Sequence, residues 1–359
     1  MFREAIRLAD NDAKKSLGFL VANFLATSWR TELSEPNISR EDLERITPLL
    51  LKSGAASLGW WRIRHTELRE CKAAEEFRAA YHLHSVQTLI HRTEIEEVVS
   101  RLNASGIEPV LVKGWAVARL YPEEGLRPYG DIDLCLIPEQ YESAVELLKG
   151  LEPKKYMVDL HNGFSKLDAF RYQDLLARSE TVRIGGAQFR VLGCEDQLRI
   201  LCTHLLRHGA WRPLWLCDIA VALESRPSGF DWERCFGDDK NTADWVACAI
   251  GLAHQLLGVR VDDTPVAQRA NHLPRWLVER VFRNWARPFP ELYPPLSYVP
   301  PIAEYSRNPR GLLRALRTRW PDPIEATVRL RGPFNEIPRF PFQLGYALRR
   351  LGRFITRTQ

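Results

Sequence analysis

Between residues 104 and 193 the hydrophobic pattern leaves the helical period and takes up that of strands, and this switch limits the architecture more than any other feature of the chain. Upstream, Ile95, Val98, Val99 and Leu102 repeat at helical spacing until Asn103-Ala104-Ser105-Gly106 stops the run. Ile107 to Val112 is then short, β-branched and apolar. It runs directly into Lys113-Gly114 and a second apolar run, Trp115 to Tyr121, a pattern that predicts a strand, a tight glycine turn and a helix. Asp131 to Ile137 alternates polar and apolar residues before becoming wholly apolar, as a strand entering a core does. Pro138 opens the next helix at a position where its missing N–H costs nothing. Tyr156 to Leu160 is a further strand, and Thr181 to Ile184, Gly185-Gly186 and Ala187 to Leu192 read as a hairpin with a two-residue turn.

Helical patterns flank this stretch on both sides. Leu17 to Ala26, Arg40 to Lys52 and a long segment from about His65 to Leu102 precede it; Asp196 to His208 and Leu214 to Leu223 follow. Residues 260 to 310 hold many prolines and read as a connection or a loose helical array. The expected organisation is a helical region over 1–103, a small α/β core over 104–193 and a helical region over 194–359. A chain of 359 residues is long enough for such a core with large additions. With 45% apolar and 26% charged residues it is an ordinary globular composition, which excludes a disordered or collagen-like chain.

Seven cysteines, an odd number without a C-x-x-C pair, read as free thiols in a reducing, cytoplasmic setting. No apolar run reaches the roughly 18 residues of a membrane span, and Asn23 with the acids before it argues for an amphipathic helix rather than a signal peptide. The net charge of +5 is too small to mark a nucleic-acid-binding protein, but it is unevenly spread. From Pro301 to Gln359 there are twelve Arg, no Lys and four acids, so this tail is either a solvated helical face or a surface for an anionic partner. Only ten Lys stand against forty Arg in the chain, which makes Lys113 more informative than a lysine usually is.

Asp131 and Asp133 stand two apart on a predicted strand, so their carboxylates leave the same face about 7 Å apart. Two such acids repel unless something balances them. A divalent cation does so, and hard oxygen ligands suit Mg²⁺ held by one or two carboxylates plus substrate phosphates. The alternative is a pair of solvated acids at a strand end. Two neighbours favour the metal. Lys113-Gly114 closes a strand and opens a helix, which offers backbone N–H groups to an anion at a glycine that allows close approach. Asp159, in Val158-Asp159-Leu160-His161, lies on a strand able to bring a third carboxylate.

With these elements in place the sequence resembles the DNA polymerase β-like nucleotidyltransferases, and within them a bacterial family of uncharacterised nucleotidyltransferases. The resemblance runs through Val110-Leu111-Val112-Lys113-Gly114, Leu120-Tyr121-Pro122, Arg127-Pro128, Gly130-Asp131-Ile132-Asp133-Leu134 and Val158-Asp159-Leu160-His161, then through Glu195-Asp196-Gln197-Leu198, His204-Leu205-Leu206-Arg207-His208, Trp211 and Asp218-Ile219-Ala220. It covers roughly residues 95 to 225. It implies an α+β fold, a small mixed-sheet core with helical N-terminal and C-terminal flanks. It also implies that Asp131, Asp133 and Asp159 are catalytic and hold metal, two Mg²⁺ ions or Mn²⁺ in their place, with Gly114 beside the triphosphate. Where the superfamily usually has Ser or Gly after the glycine, this chain has Trp115, so Lys113 or Arg127 is expected to supply the charge on the phosphates.

The activity so implied is transfer of a nucleoside monophosphate from an NTP to a hydroxyl, with pyrophosphate leaving. The acceptor classes are a small molecule such as a natural product, a peptide or protein side chain, and an RNA end. Kinase-like phosphoryl transfer at the same metals, and a non-catalytic nucleotide- or partner-binding module, are the competing readings. His204 and His208 share a helix face and read as a structural pair or as contacts to nucleotide or acceptor, since a zinc site would need further ligands. His161 orients the acceptor or fills the core. Glu195-Asp196 starts a helix, where negative charge is favoured, and Asp218 pairs with Arg207 or a nearby histidine.

Overall fold

The computed structural model describes residues 16–151, 156–164, 172–287 and 319–357, with side chains to 352. Its first helices are α1 (Leu17–Leu25), α2 (Arg40–Ser53), α3 (Ala56–Ile63) and the long α4 (Lys72–Ala104). Ser16 and Ser39 cap α1 and α2 by accepting from Phe19 N and Asp42 N, and Gly54 ends α2 in the left-handed conformation. The stop at Asn103 to Gly106 falls where the sequence places it.

Five strands follow: β1 (Val110–Leu111), β2 (Ile132–Leu136), β3 (Val158–Asn162), β4 (Glu180–Ile184) and β5 (Ala187–Val191). They form one sheet in the order β3-β2-β1-β5-β4. β2 runs antiparallel to β1 and parallel to β3, β1 runs parallel to β5, and β4–β5 is the expected hairpin, with Gly185 at φ +54° in its turn. The sheet is therefore mixed, and its core is α+β. Between the strands lie α5 (Gly114–Ala118), α6 (Tyr141–Leu148) and α7 (Tyr172–Ala177). Pro138 begins a short 3₁₀ turn that leads into α6.

The period of two sorts the sheet residues between two faces. Leu111, Ile132, Leu134, Leu136, Phe189 and Val191 pack against Ile95, Val98, Val99 and Leu102 of α4 and Ala144 of α6. Val110, Val112 and Cys135 point the other way, with Phe164, Tyr172, Leu175 and Ile200. Asp133 shares the face of Cys135, opposite α4, so the core that holds the sheet also dictates where this carboxylate emerges.

The remaining helices are α8 (Cys194–Arg207), α9 (Pro213–Glu224), α10 (Trp232–Phe236), α11 (Lys240–Leu257), α12 (Ala267–Asn271), α13 (Arg275–Trp285), α14 (Pro323–Arg329) and α15 (Phe340–Arg357). They do not pack apart from α1 to α3. One buried cluster takes in Phe24, Leu43 and Phe77 from the first helices, Val117 and Tyr121 from the middle, and Leu205, Ile219, Ile250 and Trp285 from the last. The two helical flanks share one core, with the sheet docked beside it. Part of the proline-rich stretch of 260–310 forms α12 and α13; 288–318 lies outside the described residues. None of the helices is long and apolar enough to cross a membrane among the described residues.

Candidate active site

Strand register builds the centre of the site. In the parallel pair β2–β3 the Cα partners are Asp133 with Asp159 and Cys135 with His161. Residues two apart on a strand share a face, so Asp133, Asp159 and His161 emerge together. His161 Nε2 lies 2.9 Å from Asp133 Oδ1 and 3.4 Å from Asp159 Oδ2. These three side chains each offer a ligand atom, and all such atoms fall within 4.8 Å of one another, the one grouping of this kind among the described residues. Asp133 is 3% exposed at its side chain and Asp159 61%, so the cluster has a buried floor and an open rim.

The antiparallel pair β1–β2 brings the cation. Val112 N donates to Asp133 O at 3.0 Å, which aligns the end of β1 with Asp133. The next residue, Lys113, places Nζ 3.1 Å from Asp133 Oδ1. Burial acts to raise the Asp133 carboxyl, but the His161 hydrogen bond and the Lys113 ammonium outweigh it and hold the pKa below its ordinary value. The carboxylate is therefore ionised at neutral pH. Cys135, one pleat deeper, has its thiol pushed up by burial and by Asp133, and stays a protonated apolar neighbour.

The turn at Lys113-Gly114 is strained. Lys113 has φ +54° and Gly114 φ +39°, and the left-handed region is costly for a residue with a Cβ. A Cβ on Gly114 would also lie 3.4 Å from Asp131 O. The sequence assigned Gly114 a close approach of phosphate; its backbone neighbour here is the Asp131 carbonyl. The helix it opens, α5, has only five residues, shorter than the run Trp115 to Tyr121 suggested. Trp115 packs edge-on against Phe189, and Tyr121 is buried, so both lie in the core.

Asp131 precedes β2 by one residue and is exposed, outside the three-residue grouping. Arg127 is buried on Asp218: Nε and Nη2 donate to its two carboxylate oxygens at 3.1 and 2.8 Å, and Tyr121 Oη donates to the same carboxylate at 2.9 Å. Asp218 thus pairs with Arg127, where the sequence suggested Arg207 or a histidine. Burial acts against the Arg127 charge, and Asp218 more than offsets it. Glu195 and Asp196 lie in the first turn of α8, as expected, but both also do more. Glu195 accepts from Asp231 N at 3.1 Å, and Asp196 is wholly buried between Arg178 and Arg199.

His204 and His208 lie against each other near the lysine, their rings tilted by 49°. Their ring centroids are 4.5 Å apart, and Trp215 of α9 lies against both, at 4.5 and 5.4 Å. The Arg212 guanidinium lies 5.6 Å from the centroid of that indole, and Trp211 meets it edge-on. Sequence reasoning missed Trp215 and Arg212; the one signal was the four-residue spacing of Trp211 and Trp215. Burial lowers both imidazoles. The neighbouring charges that lower them further are His208, Lys113, Arg127 and Arg207 for His204, and Arg329, Lys113 and Arg207 for His208, which is pushed down to about 4. Both imidazoles are therefore neutral at neutral pH.

A testable consequence concerns pH. A histidine whose folded pKa lies below its unfolded value of about 6.5 binds more protons unfolded than folded between the two, so stability rises with pH there. The contribution of this pair is complete above about pH 6.5 and is lost as pH falls towards 4. Urea unfolding is expected to give a lower midpoint at pH 5 than at pH 7, and the His204→Gln/His208→Gln double variant a smaller difference between the two. An unchanged difference in the variant would contradict this placement of the pair.

Residues 39–258 match the family described as uncharacterised nucleotidyltransferase. The chain belongs to that family. No curated protein and no solved structure matches it.

Proposed function

We propose that this protein is a divalent-metal-dependent nucleotidyltransferase that moves a nucleoside monophosphate from an NTP to a hydroxyl acceptor. The observation that carries the reading is the in-register pairing of Asp133 with Asp159, which converges two carboxylates and the His161 imidazole on one face beside Lys113.

The donor set fits a hard divalent cation: two carboxylates, one imidazole, a buried side and an open rim. Asp133 and Asp159 would hold it, with His161 as a third ligand or as the group that orients Asp133, and Asp131 at the open end as the further acid. Mg²⁺ is the ion we assign, two of them where phosphates add ligands, with Mn²⁺ as a substitute. When bound, it neutralises charge on the reacting phosphate and its leaving group. The protein's own residues do the rest. Lys113 and the Gly114 turn receive the phosphates. Asp159, the exposed acid, faces the acceptor and takes the proton of its hydroxyl as the O–P bond forms and pyrophosphate departs. Arg127 positions the segment between α5 and β2 through Asp218. The free cysteines fit a reducing compartment such as the cytoplasm.

The test is transfer of label from α-labelled against γ-labelled NTP, with cell-extract fractions as acceptors. Label from the α position is expected on the acceptor, the γ label in pyrophosphate, and neither once EDTA removes the metal. Transfer of the γ label to the acceptor would overturn nucleotidyl transfer in favour of a kinase. NTP binding without any metal-dependent turnover would favour the non-catalytic module.

A further inference from the structure

Arg212, the residue before α9, spends little of its hydrogen-bonding capacity on the protein. Its Nε donates at 2.7 Å to the carbonyl of Ser53, the last residue of α2. The carbonyls at a helix end lack partners within the helix, and a cation suits that end, so the Nε is accounted for. The fork of Nη1 and Nη2 is not. It carries the other four of the five N–H donors of an arginine, and it makes no hydrogen bond or ion pair among the described residues. Two carboxylates act on the guanidinium from nearby without bonding to it: Asp218, already held by Arg127 and Tyr121, and the exposed Asp131. Burial and Arg127 push its pKa down to about 10, so it stays charged at neutral pH.

The fork lies against the segment that leads into β2. A Cβ on Gly54 would meet Arg212 Nη2 at 2.5 Å and Pro128 Cγ at 3.4 Å, so the glycine after α2 leaves the space in which the guanidinium and Pro128 come together. Further along the same segment, a Cβ on Gly114 would meet Asp131 O at 3.4 Å and Tyr129 Cβ at 3.9 Å. The stretch from Pro128 to Asp131 therefore runs from Arg212 to the Gly114 turn. Three steps of chain cover at most about 10 Å, so the fork and the turn belong to one end of the site. The reacting phosphate belongs at Asp133 and Asp159, which converge in the β2–β3 pair, whereas the Gly114 turn follows β1 on the other flank of β2. The phosphates on that flank are the two that leave.

We propose that Arg212 is a phosphate-binding residue whose Nη fork holds the β- and γ-phosphates that depart as pyrophosphate. The assignment rests on the nucleotidyl-transfer reading and deepens it. A guanidinium suits the task because its paired N–H groups match two phosphate oxygens at once.

The experiment is calorimetric titration of the full-length protein, in Mg²⁺, with pyrophosphate and with α,β-methylene-ATP, an analogue that cannot release pyrophosphate. Arg212→Gln is expected to bind both at least tenfold more weakly than the parent. Arg212→Lys, which keeps the charge without the fork, is expected to bind both at least threefold more tightly than the Gln variant. Both substitutions remove the guanidinium from Ser53 O, so an arginine with a purely structural role would give the same loss of affinity in both, in step with a lowered urea midpoint. That pattern, parental affinity in the Gln variant, or a parent that binds neither probe would each overturn the inference. Transfer of α label is scored separately. Pyrophosphate bound through Arg212 by a protein that transfers no α label would uphold the inference and sink the nucleotidyltransferase reading, and α-label transfer by the parent beside parental affinity in the Gln variant would do the reverse.

Discussion

Asn in place of Asp133 is expected to lower nucleotidyl transfer by about three orders of magnitude, the scale of losing a charge aimed at the reacting centre of a desolvated site. The carboxylate accepts from His161 and Lys113 at 2.9 and 3.1 Å and is all but closed to solvent. The amide keeps the shape, removes the charge and leaves the ammonium of Lys113 without its counter-ion. A stability loss of about 1.5–3 kcal/mol is expected with it, the range for hydrogen bonds to charged groups. Asp159→Asn separates the two effects. That side chain is 61% exposed, so the variant is expected to unfold at the parent's urea midpoint while transfer falls at least a hundredfold. An Asp159→Asn protein with parental activity would remove this acid from the chemistry.

The largest stability effect is expected away from the Asp133, Asp159 and His161 cluster, at Arg127 and Asp218. Both are buried, at 7 and 0% exposure, and each satisfies the other through two hydrogen bonds, with Tyr121 on the same carboxylate. Breaking a buried pair by removing one partner leaves an uncompensated charge and costs about 3–5 kcal/mol. Asp218→Leu is expected to lose that much in urea unfolding. The Arg127→Met/Asp218→Leu double variant is expected to lose less than Asp218→Leu alone, because no charge is then stranded. Tyr121→Phe is expected to cost about 1 kcal/mol, one hydrogen bond. A double variant as unstable as the sum of its singles would show that the two residues act independently. The pair joins α9 to the segment between α5 and β2, so the helical flank that buries Asp218 also fixes the entry to the strand of Asp133.

Local pattern sufficed for much of this. Alternation in Asp131 to Ile137 and the Gly185-Gly186 turn located β2 and the β4–β5 hairpin, because period and turn chemistry are properties of neighbouring residues. What depended on pairing was harder to read. That Asp159 falls opposite Asp133 follows from a register, and nothing in Val158 to His161 states it. The same register carries His161 onto Asp133, where the sequence suggested an acceptor contact or a core residue. Arg127, read as a phosphate ligand, meets an aspartate ninety-one positions later, a contact made only once α9 packs into the helical core. The long, proline-marked C-terminal region likewise gave no sign that its helices share a core with α1 to α3.

The Asp133, Asp159 and His161 cluster is proposed as a cation site that works together with nucleotide. Its most direct test is Mn²⁺ titration followed by electron paramagnetic resonance, with and without a non-hydrolysable ATP analogue, on the parent and Asp159→Asn proteins. Mn²⁺ binding at least tenfold tighter with the analogue, and at least tenfold weaker in Asp159→Asn, is the predicted result. Equal Mn²⁺ affinity in both proteins, indifferent to the nucleotide, would contradict it.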